Sequence, residues 1–135
     1  MNEFGKVVMS TAAGIITYLI GGFDTILTTL LLLMFVDIIT GIIKGFKNKD
    51  LDSKIMSDGI LKKASILLVI IVVNLLTHIF EPLAIARETV IVLYICNESL
   101  SIFENLGTYI ELPQFIVKYL KQLHDKTNDG GTHED

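Results

Sequence analysis

Residues 30–46 read LLLLMFVDIITGIIKGF, and the one acid inside that apolar run, Asp37, decides how the chain must fold. A charge at the centre of a membrane span costs about 2.5–3.5 kcal/mol on insertion scales. A water-soluble core penalises an unpaired carboxylate just as clearly. Asp37 must therefore be paired, protonated or turned toward water, and its surroundings decide which.

Those surroundings are apolar as well. Further runs occupy residues 7–23, 64–80 and 83–95, the last continuing more weakly to residue 106. Runs of this kind approach the length that crosses a hydrocarbon core of about 30 Å. The 135 residues are 51% hydrophobic with a mean hydropathy of +0.59, which leaves too few polar residues to cover these runs in water. The expected fold class is an all-α integral membrane protein with three to four transmembrane helices plus a C-terminal amphipathic helix. The expected spans are about 7–23, 26–45, 60–80 and 88–106, within a transmembrane domain covering 1–111. An amphipathic helix over 112–125 follows, and the Gly-rich, acidic segment 126–135 reads as a disordered tail.

The first run is diluted with Ser, Thr, Ala and Gly, residues that let helices approach closely in lipid. It suits either a span or a helix lying on the surface. Its small residues, STAAG at 10–14, precede the apolar stretch. A secretory signal has the opposite order, so the run is expected to be retained. "GGFD" at 21–24 reads as a tight turn, "SDG" at 57–59 as a helix start, and Pro82 as a helix stop.

Orientation follows from the lysines. Six of them fall between positions 44 and 63, whereas 21–24 has no base and 81–87 a single arginine. Cytoplasmic loops are enriched in Lys and Arg, so the expected protein is multi-pass, with loop 44–63 and the C-terminus in the cytoplasm.

The candidate site residues lie on two of the runs. Asp37, Gly41 and Lys44 fall at i, i+4 and i+7 and share one helix face. Gly41 and Gly45 form a small-xxx-small pair suited to close helix contact. Asp37 is then either hydrogen-bonded inside a bundle, to Asn74 or Thr77, or exposed to water in an assembled pore. On the fourth run Tyr94, Asn97, Glu98, Ser101, Glu104 and Asn105 recur at helical spacing as one polar stripe. A stripe of that kind must meet protein or water. Asn97 and Ser101 read as a seam between helices, while Glu98 and Glu104 suit a seam or a pore lining.

Other chemistry finds no support. The net charge of −4 comes from dispersed acids and a tail, and no basic aromatic surface suggests nucleic acid. Cys96 is the only cysteine and reads as a buried thiol. His78 lies one turn beyond Asn74, and two residues do not make a metal site. No nucleophile with its base and no phosphate-binding glycine loop is present, so neither an enzyme nor a cofactor is expected. In "LPQFIVKYLKQLHDK", from position 112, Leu112, Phe115, Ile116, Tyr119, Leu120 and Leu123 trace an apolar stripe, with Lys118, Lys121 and Gln122 opposite. Such a helix lies in a membrane interface or packs on its neighbours.

With these residues in place, a resemblance is visible. "VDIITGIIKGFKNKDLDSKIMSDGILKKASILL" at 36–68 resembles the aspartate, Thr-Gly, lysine-rich loop and GILKK pattern of the toxin-secretion and phage-lysis holins. "NESLSIFENLGTYIELP" at 97–113 is similar to that family's second signature, although the family's Gly-rich step before the proline reads GTYIELP here. The resemblance implies a phage or prophage protein that associates with itself in the bilayer and opens holes. The implied cargo is an endolysin or a large toxin. A regulatory antiholin or membrane scaffold, and a small-solute channel, are the alternative expectations.

Overall fold

The computed structural model describes residues 1–129, and all regular structure in them is helical. The helices are α1 (Glu3–Ile20), α2 (Thr25–Lys47), α3 (Ser53–Thr77), α4 (Ala86–Leu106) and α5 (Gln114–Asp129), with a short 3-10 turn over Glu81–Leu83 between α3 and α4.

Short polar side chains set the helix starts. Asn2 accepts the Gly5 N–H at 2.9 Å, Asp24 accepts the Leu27 N–H at 3.2 Å, and Asp52 accepts the Lys54 N–H at 2.8 Å. Asp52 moves the start of α3 well ahead of the expected one, so Ser57, Asp58 and Gly59 are interior helical residues and not a cap. The lysine-rich segment is therefore mostly helix. Lys44 and Lys47 end α2, where they complement its dipole, and Lys54, Lys62 and Lys63 belong to α3. Gly21 ends α1 at φ +83°, the left-handed conformation a helix C-terminus favours. Pro113 immediately precedes α5 and its carbonyl accepts the Ile116 N–H at 3.0 Å, so it sits just outside the helix and not at its first position. α5 continues to Asp129, so residues 126–129 are helical where a disordered tail was expected; the Thr127 hydroxyl donates to the Leu123 carbonyl at 2.8 Å there. The rest of that segment, 130–135, lies outside the described residues.

Packing centres on α4, which lies against α2, α3 and α5, while α1 packs on α3. Leu27, Leu30 and Met34 of α2, Ile66 and Ile70 of α3, Ile91 of α4 and Ile20 of α1 form one buried cluster. The opposite faces are apolar and open: Leu32, Phe35 and Ile43 on α2, and Leu68 and Val72 on α3, are exposed. In water such faces would be a liability, and in a bilayer they are the lipid contact. Three helices, α1 to α3, are long and apolar enough to cross a membrane. α4 is 21 residues long but is not one of them, because its polar stripe lowers its hydropathy. That stripe points into the bundle.

Candidate functional site: a buried charge layer

Asp37 is paired, and its partner is Lys63. The Lys63 ammonium reaches from α3 and donates to Asp37 Oδ2 of α2 at 2.6 Å and to Glu98 Oε2 of α4 at 2.7 Å. Asn105, two turns beyond Glu98, donates to Asp37 Oδ1 at 3.2 Å and to the Thr40 hydroxyl at 3.1 Å. The Thr40 hydroxyl in turn donates to the Asp37 carbonyl at 3.1 Å. Glu98 is 4% exposed and Thr40 7%. No buried side-chain polar atom among the described residues lacks a hydrogen-bond partner. One ammonium thus links the three helices α2, α3 and α4 through two carboxylates.

The position of this layer follows from helix geometry. At a rise of about 1.5 Å per residue, Asp37 lies about 20 Å along α2 from Asp24 and about 15 Å from Lys47. Interior charge at that depth is tolerable only when paired and hydrogen-bonded. The pairing is unequal in number, because two carboxyl groups, Asp37 and Glu98, share the one ammonium of Lys63.

Three cavities adjoin the layer. The first, about 210 Å³, is lined by Asp37, Gly41, Lys63, Ser101 and Asn105 together with apolar residues of α2 and α3. The second, about 230 Å³, shares Asp37, Lys63 and Ser101 with it and adds Asn97 and Glu98. The third, about 270 Å³, shares Gly41 and Asn105 with the first and extends to Lys44, Gly45, Asn48 and Asp50 at the end of α2. The shared linings trace a path from the α2–α3 connection to Glu98.

A second polar layer closes the other end of the bundle. Arg87, 5% exposed, donates through Nε to the Ile20 carbonyl at 2.9 Å, through Nη2 to the Gly22 carbonyl at 3.0 Å and through Nη1 to Asp24 Oδ2 at 2.8 Å. Asn74 donates to the Tyr18 and Leu19 carbonyls at 3.2 and 3.0 Å. These two side chains satisfy the open carbonyls at the end of α1. The Arg87 guanidinium, hydrogen-bonded to Asp24, holds that carboxyl below the usual carboxylate range.

The expected site residues divide accordingly. Asp37, Glu98 and Asn105 meet in the ion layer, and Gly41, Lys44, Gly45, Asn97 and Ser101 line its cavities. Asn74 and Thr77 are not partners of Asp37. Asn74 caps α1, and the Thr77 hydroxyl donates to the Asn74 carbonyl at 2.6 Å. Glu104 is exposed and takes no part in the layer. Gly45 is close to its own connection and not to another helix, since a Cβ there would lie 3.0 Å from Leu51 Cδ1. Lys63, Thr40 and Arg87 were not among the expected site residues. Lys63 read as one more loop lysine, yet it lies immediately before the apolar run 64–80 and inside the expected span 60–80. Arg87 continues the α4 stripe backward at Ile91, Tyr94 and Glu98 spacing, which is the signal that points to it.

The comparisons with known proteins agree with a membrane role for the chain. Residues 14–125 match the model of the bacteriophage holin family. The chain is similar to a probable holin of Bacillus phage phi105, 36% identical over 110 residues and covering 81% of each chain. It is also similar to a protein of Clostridium perfringens strain 13, 38% identical over 128 residues and 93% of each chain. A 14.9 kDa Clostridium perfringens protein from the nagH 3′ region is 39% identical over 126 residues, covering 92% of this chain and 93% of its own. No solved structure matches the chain.

Proposed function

This chain belongs to the bacteriophage holin family, whose members form membrane pores and are not enzymes, and we propose that it self-assembles in the bacterial cytoplasmic membrane into holes that release an endolysin. The observation that carries this reading is the buried layer in which Lys63 bridges Asp37 and Glu98. A hole needs polar surface to face water, and a closed bundle needs that surface hidden from lipid. α4 supplies both. Glu98 and Asn105 of its stripe are bonded to α3 and α2 in the closed bundle, and with Asn97 and Ser101, which line the adjoining cavities, they would line water when the helices part.

The multi-pass topology is part of the proposal. α1, α2 and α3 cross on apolar faces, α4 crosses shielded by α2 and α3, and the α2–α3 connection with its lysines faces the cytoplasm. The unequal pairing gives the closed state a weak point. Two carboxylates share one ammonium, so ionisation of both favours hydration and separation, and the bundle acts as a two-state element.

Induced expression beside an endolysin is the test. A sudden loss of culture turbidity after a lag, dependent on both proteins, is the expected result. Lysis of the partner culture without this chain, or slow leakage from the moment of induction, would overturn the holin reading in favour of a scaffold, an antiholin or a steady channel.

A further inference from the structure

We propose that α5 is a lipid-docking helix whose partner is an anionic phospholipid surface, met by Phe115, Ile116, Tyr119, Leu120 and Leu123. The starting point is a mismatch. α5 packs on α4, and Ile116, Leu120 and Leu123 are half-buried. Phe115 and Tyr119 of the same stripe remain 76% and 64% exposed. Successive helical residues turn by about 100°, so the stripe from Phe115 round to Leu120 covers roughly 140° of the helix. α4 takes one edge of it and leaves the aromatic edge open.

The open edge has the chemistry of a membrane interface. Lys118 is exposed about 60° round the helix from Phe115, at the rim of this edge, and Lys121 is exposed farther round. Long basic side chains lay their stems on apolar surface and lift their charge to headgroup level, and aromatic rings favour the same depth. The corner leading into α5 continues the pattern. Ile110 is 57% exposed, and the Tyr109 ring lies under the Lys47 ammonium at 4.1 Å. This places the aromatic edge at the same end of the bundle as the lysines closing α2. Basic residues around an apolar face fit an anionic lipid surface.

The inference rests on membrane location and not on hole formation, so it can fail while the holin reading stands. The chain contains no tryptophan, so F115W and Y119W each add a single fluorescent probe to the full-length protein. Each is reconstituted in phosphatidylcholine vesicles with and without phosphatidylglycerol. The expected result with phosphatidylglycerol is a blue-shifted indole, quenched by lipids brominated near the headgroup and shielded several-fold from acrylamide. Both effects should weaken without the anionic lipid and on adding K118E and K121E. An indole open to acrylamide and blind to brominated lipid in both membranes would overturn the proposal. So would shielding that is independent of phosphatidylglycerol, or that follows protein density in the bilayer, which would assign the edge to neutral lipid or to a second copy.

Discussion

Glu98 and Glu104 are the same residue type on one helix, yet one is 4% exposed on Lys63 and the other faces outward. Six helical positions turn by about 600°, so the two carboxyls point about 120° apart. The stripe read from sequence was broad enough to hold both, and its edge is where it failed. Asp37 was legible as a residue needing a partner, but the partner was not, because Lys63 reaches it from a separate helix 26 positions on. The glycine turn was legible, and its crowding was not. A Cβ at Gly21 would lie 2.5 Å from both Arg87 Nε and Asn74 Oδ1, at φ +83°. Gly21→Ala should therefore lower the thermal midpoint in detergent, with about 1–2 kcal/mol from the backbone alone and more from displacing Arg87. An unchanged midpoint would show that the Arg87 layer adds no stability. Asp24 gives a pH signature at the same end. Its carboxyl is held low, so the stability it supplies is complete above the ordinary carboxylate pKa of about 3.9 and is lost as pH falls through the lowered folded value. Asp24 is partly exposed, so the effect is about 1 kcal/mol or less. Asp24→Asn should remove that acid-side loss of stability in a pH titration, and a loss of unchanged size in the variant would assign it to other carboxyls.

At the scale of elements, the four long helices were visible as apolar runs and α5 as an amphipathic stripe, and their ends moved where caps decided. Asp52 outcompeted the Ser57–Asp58 signal because a helix begins at the first cap that its neighbours permit, which also turned most of the lysine loop into helix. The central position of α4 was not legible from its hydropathy, which is the lowest of the four long helices because of the polar residues, Glu98 and Asn105 among them, that bond it to α3 and α2. Gly41 belongs to this packing. A Cβ there would sit 3.7 Å from the Asn105 amide, an ordinary contact. Gly41→Ala should thus leave stability unchanged or raise it by up to about 1 kcal/mol through helix propensity, read as an equal or higher thermal midpoint. Gly41→Leu should lower it by driving Asn105 from Asp37. A marked loss in the alanine variant would mean that Gly41 contacts something outside this chain.

For the molecule as a whole, hydropathy and lysine placement define a membrane bundle with a basic end, and the family match spans residues 14–125. Orientation can be checked directly. A reporter inserted within 48–52, and another after the last residue, should both give cytoplasmic signals, and an external signal from 48–52 would reverse the topology. On the proposed reading, the ion layer holds the closed bundle together through one ammonium that two carboxyl groups share. Its substitutions must then act in opposite directions. Asp37→Asn leaves Lys63 and Glu98 matched one to one and stabilises the closed bundle. Lys63→Met leaves two carboxylates without a counter-charge and destabilises it. In a water-filled hole the same groups are hydrated, so these changes weigh little on the open state. The deciding measurement is the onset of lysis in cells making endolysin, normalised to the amount of each variant in the membrane. The account predicts later onset for Asp37→Asn and earlier onset for Lys63→Met; onsets that shift in the same direction, or do not shift at all, would contradict it.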